Sequence, residues 1–180
     1  REMRLQEVED RRVVSFLTSS GACILVLKGA LLAQTVYPEP EQRFRTDLDL
    51  LVDPESVPVV EPLLLELGYS RPGAVQTAMP IRQSQWNCSS GKRSFSVDLH
   101  WDLRNHPALQ GRLQFQELID NSRPLPSLGE QARGMGPAHA LLNSSMHFFN
   151  DYADERPQQW LLDKDLLWRA MNVGERAQAM

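Results

Sequence analysis

Over residues 1–19, apolar positions fall at helical spacing. Leu5, Val8, Val13, Phe16 and Leu17 form a rough stripe among many charges. Ser19-Ser20-Gly21 ends that helix. Cys23-Ile24-Leu25-Val26-Leu27 is a continuous apolar run of the length of a buried strand, and Gly29 opens a helix expected to reach about Tyr37. Pro38 and Pro40 stop it and stiffen the following loop. The period then changes to two. In Asp47-Leu48-Asp49-Leu50-Leu51-Val52 both carboxylates take one face of a strand, and Leu48, Leu50 and Val52 take the other.

Asp53-Pro54 has the chemistry of a helix start, with Asp as N-cap and Pro in the first turn. Pro58 and Pro62 make this helix irregular before Leu63–Leu67, and Gly68 is its C-cap. Tyr69 to Met79 is weakly patterned. Gln83–Asn87 and Ser94–Trp101 flank Ser89-Ser90-Gly91-Lys92, a hairpin turn. Alternation in the second arm sets Phe95, Val97, Leu99 and Trp101 on one face, and Ser96, Asp98, His100 and Asp102 on the other. After Arg104 no further strand is expected. A short helix over 114–120 and a loop over 124–136 lead to a helix opened by Pro137, with Ala138, Leu141, Leu142, Ser145 and Phe149 at helical spacing. A last helix covers 158–171, with Trp160, Leu161, Leu167, Trp168 and Met171 apolar. The pattern predicts an α/β (α+β) fold, a small mixed sheet with flanking helices. A core over 1–104 precedes a mostly helical segment over 105–180.

Composition narrows the function classes. With 19 Lys and Arg against 23 Asp and Glu, the net charge of -4 gives no basic nucleic-acid surface; Arg43-Arg45 and Lys92-Arg93 are only small patches. No apolar run approaches the roughly 20 residues of a membrane span. The two cysteines make no disulfide framework, so a reducing cytoplasm is the expected location.

The chemistry concentrates on carboxylates. Asp47 and Asp49 at the head of a buried strand repel each other and are costly to desolvate, so a cation is expected to offset them; Mg²⁺, or Mn²⁺, takes such oxygen ligands. On the same argument, Asp49→Asn should relieve repulsion and leave the metal-free fold intact or slightly stabilised. A calcium hand is excluded, because Val52 and Pro58 stand where its Gly and its bidentate Glu belong. Asp98 is a third carboxylate on a polar strand face. His100 beside it is open to three roles: metal ligand, proton carrier, or a neutral ring orienting Asp98. Lys28-Gly29 at a strand-to-helix turn offers backbone N–H groups and a mobile positive charge to phosphate oxygens, or else simply a tight turn. Arg43, four residues before Asp47, is either a phosphate clamp or the partner of the aspartates or Glu41. His139 and His147 read as structural or surface residues. P-loop, Rossmann, zinc and serine-hydrolase spacings are absent.

A strand ending in Lys28-Gly29, a helix, Arg43, and then Asp47-x-Asp49 leading into Leu51-Val52 resembles the nucleotidyltransferase superfamily with its polymerase-beta-like core. The likeness is to its small, uncharacterised bacterial members. It extends to Leu67-Gly68-Tyr69 and to Val97-Asp98-Leu99-His100-Trp101, and is loose after residue 104. Most of the superfamily carries Gly-Ser where this chain has Lys28-Gly29. The resemblance implies a metal-dependent enzyme that moves a nucleotidyl group from a nucleoside triphosphate (NTP) to an acceptor hydroxyl by a two-metal mechanism. Asp47, Asp49 and Asp98 would hold the metals, and Lys28, Gly29 and Arg43 the nucleotide. Its partners would be the NTP and an acceptor that the sequence does not name. The alternative is a catalytically inactive nucleotide- or partner-binding module, such as one half of a toxin–antitoxin pair.

Overall fold

The computed structural model describes residues 2–72, 82–91, 93–103, 113–150 and 157–179. Most of the weakly patterned stretch after Tyr69, Lys92 of the hairpin turn and the side chain of His147 lie outside the described residues. Helix α1 (Glu2–Ser19) leads into strand β1 (Ile24–Val26), helix α2 (Lys28–Thr35) and strand β2 (Asp47–Val52). A short 3-10 turn at Pro54–Ser56 precedes helix α3 (Val57–Glu66), then come strands β3 (Gln83–Ser90) and β4 (Arg93–His100). Helix α4 (Phe115–Asp120), strands β5 (Arg123–Pro124) and β6 (Arg133–Gly134), and helices α5 (Pro137–Asn150), α6 (Pro157–Ala170) and α7 (Val173–Gln178) complete the chain.

The strands form one mixed sheet in the order β3-β4-β2-β1-β6-β5. β2 sits centrally, antiparallel to β1 and parallel to β4. Its apolar residues are buried on both faces, which is why it reads as an almost unbroken hydrophobic run after Asp47. The expectation that strands end at Arg104 is corrected here: β6 pairs in parallel with β1, and β5 pairs with β6. These two-residue strands are too short to show a period. Their place depends on Gly134, where a Cβ would lie 2.4 Å from Leu31 and 2.6 Å from Leu125. The first strand is also shorter than its apolar run, and Cys23 stands exposed ahead of it.

The buried face of α1 is not the expected one. Gln6, Asp10, Val13, Val14, Leu17 and Thr18 are buried, whereas Leu5 and Val8 are exposed. Asp10 belongs inside because Arg45, equally buried, donates to its Oδ2 from Nε at 2.8 Å, and Gln6 donates to its Oδ1 at 2.9 Å. Burial pushes the Asp10 carboxyl up to about 6 even against the guanidinium. This pair ties α1 to the loop before β2, and it takes Arg45 out of any surface basic patch. On α6, Leu161 and Trp168 are exposed while Asp163 and Leu167 are buried, as is Met171 just after it.

Removing one partner of a buried pair leaves the other charge uncompensated. Asp10→Ala is therefore expected to cost about 3–5 kcal/mol in urea denaturation, with much of the loss recovered in the apolar double variant Asp10→Leu/Arg45→Met. A single-variant cost below about 1 kcal/mol would show that the pair is dispensable to the fold.

Candidate active site

The register of β2 against β4 builds the site. Asp49 is the direct neighbour of Asp98 in the parallel ladder, so both carboxylates occupy one face, and His100 follows two residues later on that face. Ligand atoms of Asp49, Asp98 and His100 lie within 4.8 Å of one another. Asp47 sits on the same face of β2, two residues earlier, outside that tight group. His100 bonds Asp49 rather than Asp98: its Nε2 lies 3.0 Å from Asp49 Oδ1. Orientation of Asp98 by His100 is thereby corrected, because side-by-side register carries the ring past its own strand neighbour to the carboxylate on β2.

Lys28 supplies the positive charge. Its Nζ donates to Asp49 Oδ1 at 2.7 Å. Its position follows from the backbone, since the Leu27 N–H bonds the Asp49 carbonyl at 3.0 Å and Lys28 is the next residue. Lys28 adopts φ 45°, a left-handed conformation that costs a non-glycine residue of order 1 kcal/mol and accumulates at functional positions. Helix α2 begins here with no side-chain cap, leaving first-turn N–H donors available. Gly29 permits a close approach, since a Cβ there would stand 3.1 Å from Arg45 Cβ and force it to shift.

The acids respond to these neighbours in opposite ways. Asp49 is only 3% exposed. Burial alone would raise its pKa, but the Lys28 ammonium and the His100 hydrogen bond outweigh that and hold it well below the usual range. Burial, and then the charges of Asp49 and Asp98, push the Asp47 carboxyl up to about 6. Asp98 is likewise raised by burial and by Asp49. The repulsion expected from the sequence therefore falls on Asp47 and Asp98. Asp49 is instead the anchor of a buried ion pair, and Asp49→Asn would leave Lys28 without its partner.

A divalent cation fits this donor set. Asp98 Oδ1 is buried with no hydrogen-bond partner among the described residues, an uncompensated carboxylate oxygen beside a second carboxylate and an imidazole. Next to it, a cavity of about 470 Å³ is lined by Lys28, Gly29, Asp47 and Asp49 on the sheet side and by α5 and α6 on the other. Arg43 lines it too, but neither Glu41 nor the aspartates hold it. Its Nε and Nη2 donate to Asp163 at 2.8 Å each, and its Nη1 bonds the Phe44 carbonyl. Asp163, 3% exposed, also accepts from the Tyr37 hydroxyl at 2.7 Å. Asp163 was missed in the sequence. The available signal was a carboxylate on the buried stripe that continues through Leu167 and Met171. His139 stands 3.5 Å from Glu117, away from the carboxylate cluster.

A family model described as an uncharacterised nucleotidyltransferase matches residues 2–178. The chain belongs to that family. No curated protein sequence matches this chain. Its fold is similar to two solved structures of the antibiotic-resistance factor ANT(2'')-Ia. One is a solution structure (TM-score 0.60, 10% identity, 98% of this chain and 89% of that one). The other is a crystal structure in complex with adenylyl-2''-tobramycin (TM-score 0.59, 11% identity, 97% and 95%). The mixed α/β architecture with a six-stranded sheet is thus that of nucleotidyltransferase structures. No helix among the described residues is long and apolar enough to cross a membrane.

The raised Asp47 pKa has a consequence for metal-free stability. An acid whose pKa rises from 3.8 to about 6 on folding favours the fold below pH about 4, and that contribution is lost as pH rises through about 6. Asp47→Asn should remove most of this loss, making the variant more stable than wild type at pH 8 by on the order of 1 kcal/mol in chelator, after allowance for partial solvent screening. Urea denaturation from pH 4 to 8 reads it. Identical pH profiles for the two proteins would show that Asp47 carries no such penalty.

Proposed function

We propose that this nucleotidyltransferase moves a nucleotidyl group from an NTP to an acceptor hydroxyl. The observation that carries the reading is the unpartnered, buried Asp98 Oδ1 paired in register with Asp49, which lines a cavity that also receives the α2 N-terminus. Asp49 and Asp98 would hold a divalent cation, Mg²⁺ or Mn²⁺, with Asp47 and His100 close enough to contribute. Such a cation neutralises phosphate charge and acidifies a hydroxyl. In the transfer, the acceptor oxygen bonds the α-phosphorus, the bond to the β-phosphate bridging oxygen breaks, and pyrophosphate leaves. Asp98, with its raised pKa, is suited to take the acceptor proton. The first-turn N–H groups of α2 and the Lys28 ammonium would hold the β- and γ-phosphates. Arg43, committed to Asp163, shapes the wall; as a phosphate clamp it would first have to leave that carboxylate. Adenylyl-2''-tobramycin, bound by the solved neighbour, is the kind of product that transfer to a hydroxyl leaves.

Pyrophosphate release from the four NTPs with Mg²⁺, against small-molecule, protein and RNA-end acceptors, tests the reaction. Activity should vanish in chelator and fall by on the order of a hundredfold or more in Asp49→Asn. NTP binding without turnover across these acceptors would favour the inactive nucleotide-binding module.

Lys28 gives a second test. Its ammonium bonds Asp49, the carboxylate that a cation would take, and phosphate oxygens offer it another partner. Cation and nucleotide should therefore bind cooperatively. Lys28→Met should bind Mn²⁺ more tightly than wild type without nucleotide, by about tenfold, and lose most of the cooperativity. Unchanged or weaker Mn²⁺ binding in that variant would remove Lys28 from this role.

A further inference from the structure

The wall of the cavity opposite the carboxylates holds an uncommitted polar group. Helix α5 lines the cavity with Ala140, Asn143 and Ser144, which share one helix face. Asn143 is 6% exposed, and its side chain makes no hydrogen bond among the described residues. Across the cavity, Gln159 and Asp163 are already engaged: Gln159 Nε2 donates to the Phe44 carbonyl at 2.8 Å, and Asp163 holds Arg43 and Tyr37. An amide that the chain leaves without a partner and that lines a ligand-sized cavity offers its donor and acceptor to a bound molecule.

Topology decides which ligand. Lys28, Gly29, Asp47 and Asp49 line this cavity, whereas Asp98 and His100 do not. The phosphate end of the donor nucleotide belongs at the α2 N-terminus, so the rest of that molecule extends toward α5 and α6, while the acceptor approaches from the Asp98 side. Leu31, Leu32 and Met135 supply apolar surface for a flat ring. A carboxamide presents an acceptor beside a donor and cannot ionise, which matches a base edge that offers the complementary pair. Resting on the transfer reading above, we propose that Asn143 is the specificity-determining residue for the nucleobase of the donor NTP.

The test is calorimetric titration of the Mg²⁺ complexes of ATP, GTP, CTP, UTP and inorganic tripolyphosphate into wild type, Asn143→Leu and Asn143→Ala. Wild type should prefer one base. Both variants should narrow the spread among the four NTPs by about tenfold, the size of one good bidentate contact, while tripolyphosphate affinity moves less than twofold. The tripolyphosphate arm also reports that the phosphate end of the site is intact. A wild type indifferent to base, a spread unchanged in the variants, or a parallel loss for NTPs and tripolyphosphate would each overturn the assignment. Wild type that binds neither NTPs nor tripolyphosphate would bring down the transfer reading along with it.

Discussion

Two carboxylates aligned across neighbouring central strands cannot be closed into a hydrophobic core without positive charge beside them. That constraint organises the molecule. Asp49 is nearly inaccessible, and its ionised form survives because Lys28 and His100 both bond the same oxygen, Oδ1. The Lys28 ammonium can reach it only because β1 ends at the level of Asp49, where the Leu27 N–H meets the Asp49 carbonyl and the chain turns directly into α2. Backbone pairing, a left-handed residue and a buried ion pair are thus a single arrangement. It places a helix N-terminus, a lysine and the carboxylates of Asp47 and Asp49 within one concavity.

The loop that delivers Asp47 is fixed from both sides by arginines that look interchangeable in sequence and are not. Arg45 turns inward to Asp10 on α1, and Arg43 turns across the cavity to Asp163 on α6. One pair anchors the loop to the first helix of the chain, and the other ties it to the sixth. Both arginines thus hold structural ion pairs, and the approach of the C-terminal helices to the sheet is set by charge as well as by apolar contact. The sequence separation of 120 residues between Arg43 and Asp163 means that the cavity exists only once the whole chain has folded.

Within this frame the polar groups divide by whether the protein itself satisfies them. Gln6, Gln159 and Tyr37 find partners in the chain. Among the described residues, Asp98 Oδ1, Gln34 Nε2 and Arg45 Nη2 are buried without a partner, and the Asn143 side chain, which lines the cavity, makes no hydrogen bond. Of these, Asp98 Oδ1 lies beside a second carboxylate and an imidazole, and Asn143 faces a ligand-sized cavity, which is why the carboxylate face and the α5 wall carry the functional reading. Membership of the nucleotidyltransferase family and the shared fold agree with that division.

Local periodicity was legible in the chain because it belongs to the backbone itself. Alternation set Asp47 with Asp49 and Asp98 with His100, and helical spacing, Pro and Gly located α2, α3, α5 and α6 to within a few residues. The family resemblance then supplied the expectation of metal and nucleotide. What the sequence did not determine was pairing. The register that puts Asp49 beside Asp98, the choice of Asp49 over Asp98 by His100, the use of Lys28 on a carboxylate, and the joining of β6 to β1 are contacts between residues far apart in the chain. Even the buried face of α1 followed from Arg45 rather than from its own apolar stripe. Which side of an element is inside, and which charge meets which, is decided when the elements pack, since only then are the desolvation of a charge and the partner that offsets it set against each other.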